Sequence, residues 1–468
     1  MNNKTTRNLF LVFMVILVIC GIAAVKLTNN DEVYQSNWDT INVRPIPIWY
    51  DQAKFGMGVY SVPAFANKSE PSAEWYWDTW KHDTDGGWTA EYHNRSFGAD
   101  FTYQDFASMF TAHLFDANKW ANLIEKSGAK YVVLTSKHHE GFPLWPSKQA
   151  PNWNSVDVGP KRDIVGELST AIKNKGINMG LYYSLFEWFN PLYLEDKSTG
   201  KPPKTENYVD DIMIPQMKDI VNKYEPSIVW TDGEWEEDSD YWKSTEFLTW
   251  LFASKVGDKV VVNDRWGKDC RGKNGGFYTG GDRMNPGHLM PHKFENCATI
   301  STSWGYNQNE DADTYQSVEK LITTLVETVS CGGNLLLNIG PTKEGVIVVA
   351  QQQSLLGIGE WLSINGEGIY SSVPWRVQND STSLWYTYNS DSQTLYAFMT
   401  GNWPTTNQIQ LISPITNSKT AVQLLGYDGP SLSFNPLDNG GLNIKLPLLT
   451  PGKYPPHNVY TLKITNVK

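Results

Sequence analysis

Cysteine is scarce in this chain. Four occur in 468 residues, and Cys20 falls in an apolar N-terminal segment, which leaves Cys270, Cys297 and Cys331. Three thiols are too few for a disulfide scaffold, and their spacing matches no metal site. Cys270 and Cys297 flank one loop and are candidates for a bridge. Positive charge is also in short supply: 39 Lys and Arg against 50 Asp and Glu give a net charge of −11. That balance argues against nucleic acid or an anionic membrane surface as the main partner. The apolar run from Leu9 to Val25 is 17 residues long, short of the roughly 20 that a membrane-spanning helix needs. Lys4 and Arg7 precede it, Lys26 follows, and Gly21 and Ala23 offer small residues for cleavage. The segment reads as a secretory signal that is removed. An uncleaved anchor is the alternative, and only in that case is a membrane involved. Residues 1–34 are assigned to this segment and its linker. Sequons at Asn67, Asn94 and Asn379 fit a lumenal or extracellular address.

What the chain holds in quantity is aromatic: 20 Trp and 23 Tyr. With charged residues at only 19%, that excess suits a surface that handles sugars, although part of it must be ordinary core. From about residue 45 strands and helices alternate. Tyr131–Leu134 reads as a strand ending in Ser136-Lys-His-His-Glu-Gly-Phe142. A helix follows at 163–175, with Asp163 as N-cap and Gly176 at its end. Strand 178–184, a helix at 208–224, the strand ending at Asp232, a helix at 244–255 and strand 260–262 continue the series. Val318, Leu321, Ile322, Leu325 and Val329 then trace a helix face before the strand Asn334–Asn338. Repeated alternation of this length predicts parallel strands with right-handed crossovers. The expected fold is α/β, a TIM-like (β/α) barrel over residues 35–368, with an open doubly wound sheet as the runner-up. After residue 368 the apolar period changes to 2, at 384–388, 395–399, 442–446 and 460–464. This predicts a C-terminal antiparallel β-sandwich over 369–468.

Chemistry gathers after the predicted strands. In Ser227-Ile-Val-Trp-Thr-Asp-Gly-Glu-Trp235 a short apolar run ends in a carboxylate flanked by indoles. Side chains at the C-terminal ends of barrel strands line the active site in this architecture. Asp232 therefore has the position and the chemistry to attack or stabilise an anomeric carbon, with Trp230 and Trp235 offering faces for sugar C–H groups. Glycoside cleavage needs a second carboxyl group to protonate the leaving oxygen. Asp282 and Glu295, in the loop expected after the Asn263–Trp266 segment, are its candidates. His138 and His139 are adjacent, so on a strand they would point to opposite sides and could not share one metal ion. One is expected to donate to sugar hydroxyls and the other to be structural.

Ordered along the chain, Trp49-Tyr-Asp-Gln-Ala-Lys-Phe-Gly56, Glu74-Trp-Tyr-Trp77, Ser136-Lys-His-His-Glu-Gly-Phe142, Trp230-Thr-Asp-Gly-Glu-Trp235, Val262-Asn-Asp-Arg-Trp266 and Gly333-Asn-Leu-Leu-Leu-Asn-Ile-Gly-Pro341 resemble the α-L-fucosidases of glycoside hydrolase family 29, in particular the animal tissue enzymes. The resemblance implies a catalytic barrel with a C-terminal β-sandwich, and removal of terminal α-L-fucose from glycoproteins or glycolipids by double displacement. It implies no metal or other cofactor, fucosylated glycans as partners, and a lysosomal or extracellular location, and it leaves homo-oligomerisation open. Carried over by motif, Asp232 matches the nucleophile. Glu74, Trp75, His138, His139, Tyr183 and Arg265 match residues that hold the sugar. Asp282 matches the region supplying the acid/base in the animal enzymes, with Glu295 as the alternative. One departure stands out. The family pattern Lys-Phe-Gly-x-Phe-Ile-His-Trp-Gly has its histidine on the sugar, but here Lys54-Phe-Gly-Met57 runs straight into Gly58. Four residues are missing, about 13 Å of extended chain. The first strand must then be rebuilt from its neighbours, and a weakened or lectin-like fucose-binding protein is the second reading.

Overall fold

A computed structural model of the chain describes residues 34–60, 73–438, 440–450, 452 and 454–468. The apolar N-terminal segment and the sequon at Asn67 lie outside the described residues.

Seven parallel strands form the first sheet among the described residues: β1 (Phe55–Val59), β2 (Tyr131–Lys137), β3 (Asn178–Ser184), β4 (Ile228–Asp232), β5 (Val261–Val262), β6 (Glu295–Thr299) and β7 (Asn334–Ile339). Their order, β5-β4-β3-β2-β1-β7-β6, is sequential apart from a gap between β5 and β6. Residues 276–278 fill that gap. Phe277 N donates to Val262 O at 3.1 Å and Tyr278 N to Lys293 O at 2.9 Å, while Glu295 N donates to Tyr278 O at 2.8 Å. The sheet thereby closes as a barrel.

Helices α1 (Ala117–Ser127), α2 (Ile164–Asn174), α3 (Ile214–Tyr224), α4 (Ser244–Ala253), α5 (Val318–Ser330) and α6 (Val349–Asn365) connect and cover the strands. The sequence reasons are local. Asp116 and Asp163 cap α1 and α2 by accepting from Lys119 N and Gly166 N, each offsetting one unpaired N–H at a helix start. Gly128, at φ +86°, ends α1 in the left-handed conformation. Apolar residues on the inner helix faces, such as Trp120 and Ile124 of α1 and Leu168 and Ile172 of α2, pack with Met57, Val132 and Leu181 on the outer face of the strands. Tyr131, Val133, Ile228, Trp230, Val261, Cys297 and Leu336 form a separate cluster inside the barrel. The predicted helix at 208–224 is continuous, but a π-helical turn at Val209–Met213 precedes α3.

The period-2 region forms two antiparallel sheets. One has five strands in the order β12-β15-β10-β9-β8 and the other three in the order β11-β14-β13. They comprise β8 (Val373–Ser381), β9 (Leu384–Asn389), β10 (Thr394–Thr400), β11 (Gln408–Leu411), β12 (Ala421–Leu424), β13 (Phe434–Pro436), β14 (Leu442–Lys445) and β15 (Val459–Thr465). Leu384, Tyr386, Leu395, Ala397, Leu411, Leu442, Leu462 and Ile464 make the core between them. Hydrogen bonds from Trp361 Nε1 to Val459 O and from Thr387 Oγ1 to Gly368 O tie this unit to the end of α6 and the turn after it.

Candidate active site

A cavity of about 490 Å³ opens at the C-terminal ends of the strands, where βα-barrels carry their chemistry and within the size usual for small-ligand sites. Tyr60, Glu74, Trp75, His138, His139, Tyr182, Trp230, Asp232, Trp235, Arg265, Arg271, Asp282, Cys297, Trp304 and Asn338 are on its wall.

At its centre Arg265 joins two carboxylates. Nη1 donates to Asp232 Oδ1 at 2.7 Å, Nη2 to Asp282 Oδ1 at 2.6 Å, and Nε to Thr279 Oγ1 at 3.0 Å. The guanidinium also lies 4.7 Å from the Trp230 ring centre. Burial works against its charge, but Asp232, Asp282 and Glu234 outweigh burial and hold its pKa above the ordinary arginine range. Tyr182 Oη donates to the other oxygen of Asp232 at 2.7 Å. Burial, then the charge of Asp232, push the Tyr182 phenol well above its usual range, so it stays a donor. Asp232 is thus gripped on both oxygens, which fixes its orientation. Asp264 holds the loop that carries Asp282, accepting from Thr279 N and Oγ1 and from Gly272 N at 2.8–3.0 Å. Next to Asp232, burial and the Asp232 charge raise the Glu234 carboxyl, countered by Arg265 and by Arg271, to which it is paired.

The two histidines lie past the end of β2, where strand alternation no longer applies, and both line the cavity with ring centres 3.9 Å apart. The expectation that only one would face the site does not hold. Ser184 Oγ gives its proton to Phe186 O at 2.7 Å, so it accepts from His139 Nδ1 at 2.6 Å. His139 therefore carries its proton on Nδ1 and offers Nε2 as an acceptor. Burial, then His138 and Lys137, keep its pKa well below the ordinary value, so the ring is neutral. His138 Nδ1 lies 3.5 Å from Glu140 Oε2. Glu74 accepts from Ser303 Oγ at 3.0 Å and from the backbone N–H of Gly305 at 3.3 Å. Trp75 packs 5.2 Å from His139, 5.6 Å from Trp188 and 6.2 Å from Trp235.

Glu295 and Tyr183 are not brought to the cavity. Glu295 is not in a loop: it opens β6 at the N-terminal end of the barrel, fully buried beneath Trp230. It accepts from Tyr50 Oη at 2.7 Å, Tyr131 Oη at 2.6 Å and Trp230 Nε1 at 2.9 Å. Burial raises its carboxyl in spite of these three donors. Tyr183 points out of the barrel and donates to Gln216 Oε1 of α3 at 2.7 Å. Tyr182 takes the inner position because it pairs in register with Trp230, and residues paired across neighbouring strands face the same side. The phase of Trp230 and Asp232 was therefore the signal that could have identified it. The Cys270–Cys297 bridge is not formed. Both thiols are free, Cys297 on the inner face of β6 and Cys270 in the outer core beside Asp269. Asn94 is exposed on the helix Trp88–Phe97 and Asn379 half-buried on β8.

The shortened first strand is fully paired. Phe55–Val59 match Leu335–Ile339 of β7, and Gly56–Val59 match Tyr131–Leu134 of β2. Counting from Gly56, Met57-Gly58-Val59-Tyr60 occupy the places of x-Phe-Ile-His in the family pattern.

The family model for α-L-fucosidase matches residues 21–367, and that for the α-L-fucosidase C-terminal domain matches residues 378–465. An α-L-fucosidase of Dictyostelium discoideum is 53% identical over 469 residues, covering 97% of this chain and all of that protein. Tissue α-L-fucosidase of Homo sapiens is 45% identical over 464 residues, 97% of each. The crystal structure of Thermotoga maritima α-fucosidase in complex with fucose superposes with a TM-score of 0.78 at 33% identity, covering 92% of this chain and all of the other. The chain belongs to the α-L-fucosidase family and is a glycoside hydrolase.

Proposed function

We propose that the cavity binds one terminal α-L-fucosyl unit of a glycan and cleaves it with Asp232 as nucleophile and Asp282 as general acid and base. The observation that carries this reading is the Arg265 clamp, which brings these two carboxylates to one guanidinium on the cavity wall. Asp232 attacks the anomeric carbon while Asp282 gives its proton to the leaving oxygen. Asp282 then takes a proton from water, which attacks the fucosyl–Asp232 ester and releases fucose with its configuration retained. Asp282 is suited to the alternating part because its side chain is 46% exposed and can exchange protons with solvent. Tyr182 and Arg265 hold Asp232 in line, and the dry wall around it strengthens both contacts. Glu74 and the neutral His139 supply acceptors for ring hydroxyls. His138 adds a further polar contact, and Trp230 and Trp75 provide apolar faces. Glu295 buttresses Trp230 from below.

We further assign residues 1–34 to a secretory signal with its linker, and the working location to the lysosomal or extracellular space. Residues 35–368 and 369–468 are taken as the two folding units. The rival reading, a fucose-binding protein without turnover, draws no support from relatives that are named α-L-fucosidases. The test is release of the aryl group from an aryl α-L-fucoside by purified residues 35–468. Asp232→Ala should lose turnover, and azide, as an external nucleophile, should restore part of it. Undiminished activity in that variant sinks the assignment.

A further inference from the structure

We propose that Glu140 is a positioning residue for the sugar site: its carboxylate holds a proton on His138 Nδ1 and so fixes the ring with Nε2 turned to the bound fucosyl unit. This rests on the fucosidase reading above and gives a task to a buried acid that the reaction does not otherwise use. β2 ends at Lys137, and His138 to Gly141 form a turn in which Gly141 N donates to His138 O at 3.1 Å. Gly141 closes the turn at φ +72°, where a Cβ would lie 2.5 Å from Glu187 Oε2, so glycine is required there. Trp188 N donates to His139 O at 2.7 Å and Trp153 Nε1 to Glu140 O at 3.1 Å, which anchors the backbone of both central residues. The turn brings the Glu140 side chain back to the ring of His138, with Oε2 lying 3.5 Å from Nδ1.

The two ring nitrogens of His138 have different surroundings. Nδ1 is buried without a full hydrogen bond, and so are both oxygens of Glu140, a state that folded proteins rarely leave unmet. Nε2 makes no hydrogen bond among the described residues either, but it is not shut off from the cavity that the ring lines. Glu140 has no competing cation. Lys137 gives its ammonium to Glu187 at 2.8 Å and to Tyr208 Oη at 3.3 Å, and no other basic side chain among the described residues pairs with Glu140. Burial, then the Glu140 charge, hold the neighbouring Tyr60 and Tyr103 phenols well above their ordinary range. A bare Nδ1 lone pair facing this carboxylate would be repelled, with little water to screen it, so a proton lies between the two atoms. Imidazole is the stronger base of the two groups, and the proton stays on Nδ1. The partner of one ring nitrogen thus decides what the other offers. Ser184 does the same for Nδ1 of His139, so both histidines present Nε2 to the site.

Imidazole nitrogen NMR on histidine-labelled wild type reports the tautomer directly, with His138→Ala identifying the resonance. Nδ1 of His138 should carry its proton at every pH at which L-fucose binds. A bare Nδ1 overturns the proposal, and this reading needs no Glu140 variant to fold. Glu140→Met removes the acceptor at similar volume. It should raise the Kd for L-fucose by calorimetry, and lower kcat/KM for an aryl α-L-fucoside, by about 5- to 30-fold, the coupling usual between groups in contact. Glu140→Gln keeps an acceptor oxygen and should lose less. Because Glu140 acts through His138, Glu140→Met should cost less than about twofold more in kcat/KM once His138 is alanine. A merely structural acid would cost the same factor in both backgrounds, and that result overturns the proposal. L-fucose binding and the NMR spectrum need no turnover. A wild type that binds fucose but cleaves nothing would refute the catalytic reading, and these two measurements would still decide this one.

Discussion

Separate exchange of the two acids, Asp282→Asn and Glu295→Gln, tests how the site divides its labour. Asp282 is half-exposed but its partner Arg265 is buried; Arg265 keeps Asp232, and an asparagine keeps an acceptor oxygen for Nη2, so the exchange should cost about 1 kcal/mol or less in stability. As general acid it should be worth about 10²- to 10⁴-fold in rate, or roughly 3–5 kcal/mol of barrier. Glu295 reverses this pattern. It is wholly buried and accepts from Tyr50, Tyr131 and Trp230. A glutamine there keeps one acceptor oxygen but turns an amide N–H₂ toward the two phenols. Hydrogen bonds to a charged acceptor contribute about 1.5–3 kcal/mol each. Against that loss stands relief from burying a carboxylate whose pKa burial already raises. The net should be a destabilisation of about 1–3 kcal/mol, with turnover changed less than about tenfold.

The assay is a pair of substrates, a dinitrophenyl fucoside whose leaving group needs no proton and an alkyl fucoside or glycan that does. Asp282→Asn should lose most on the second, show a burst on the first as the fucosyl–Asp232 ester accumulates, and respond to azide. Glu295→Gln should lose equally on both and melt earlier. If the leaving-group dependence appears in Glu295→Gln and not in Asp282→Asn, the division argued here is wrong.

Three further outcomes are expected. Tyr182→Phe removes the donor to Asp232 Oδ2 and should lower kcat/KM for an aryl fucoside by about 10- to 100-fold. Tyr183→Phe, whose hydroxyl reaches only Gln216, should change it less than about threefold, and equal effects would contradict the register. Lys293 is pushed down to about 7 by burial, with Lys54 adding to the effect against the pull of Asp51. A lysine with a depressed folded pKa contributes its full stability above the unfolded value near 10.4 and loses it as pH falls toward 7. Lys293→Met should therefore melt above wild type at pH 5–7 by scanning fluorimetry, with the gap closing toward pH 10; a pH-independent gap would count against it. Finally, residues 35–468 denatured without reductant should titrate three thiols, since Cys270, Cys297 and Cys331 are all free; a single thiol would restore the bridge.

Much of the fold was legible because periodicity survives without an alignment. The strands ending at Lys137, Ser184, Asp232 and Ile339 are buried throughout or nearly so, and α2 and α5 between them start at side-chain caps, Asp163 and Ser317. β6 was not legible, since Glu-Asn-Cys-Ala-Thr carries polar residues inside and outside the barrel. Sequence alone therefore places its first residue in a loop. The site was legible where an acid ends an apolar run, as at Asp232. It was not where neighbours compete for one face. Tyr182 and Tyr183 differ only in phase, which the pairing with β4 decides. His138 and His139 differ only in where β2 stops.

The missing four residues show which part of the fold tolerates change. A strand is held by its backbone N–H and C=O groups, which any residue except proline supplies. Phe55–Val59 therefore keep the full ladder to β2 and β7 although their side chains no longer follow the family pattern. The demand on side chains is selective. The outer positions Phe55, Met57 and Val59 remain apolar and buried. The inner positions Gly56 and Gly58 yield space to Tyr131 and Asn338. Gly58, Val59 and Tyr60 all line the cavity, and of the inner positions Tyr60 alone has a side chain beyond the backbone. Four residues can thus be lost from the first strand with the barrel intact, and the change in inner side chains falls on one residue at the strand's end.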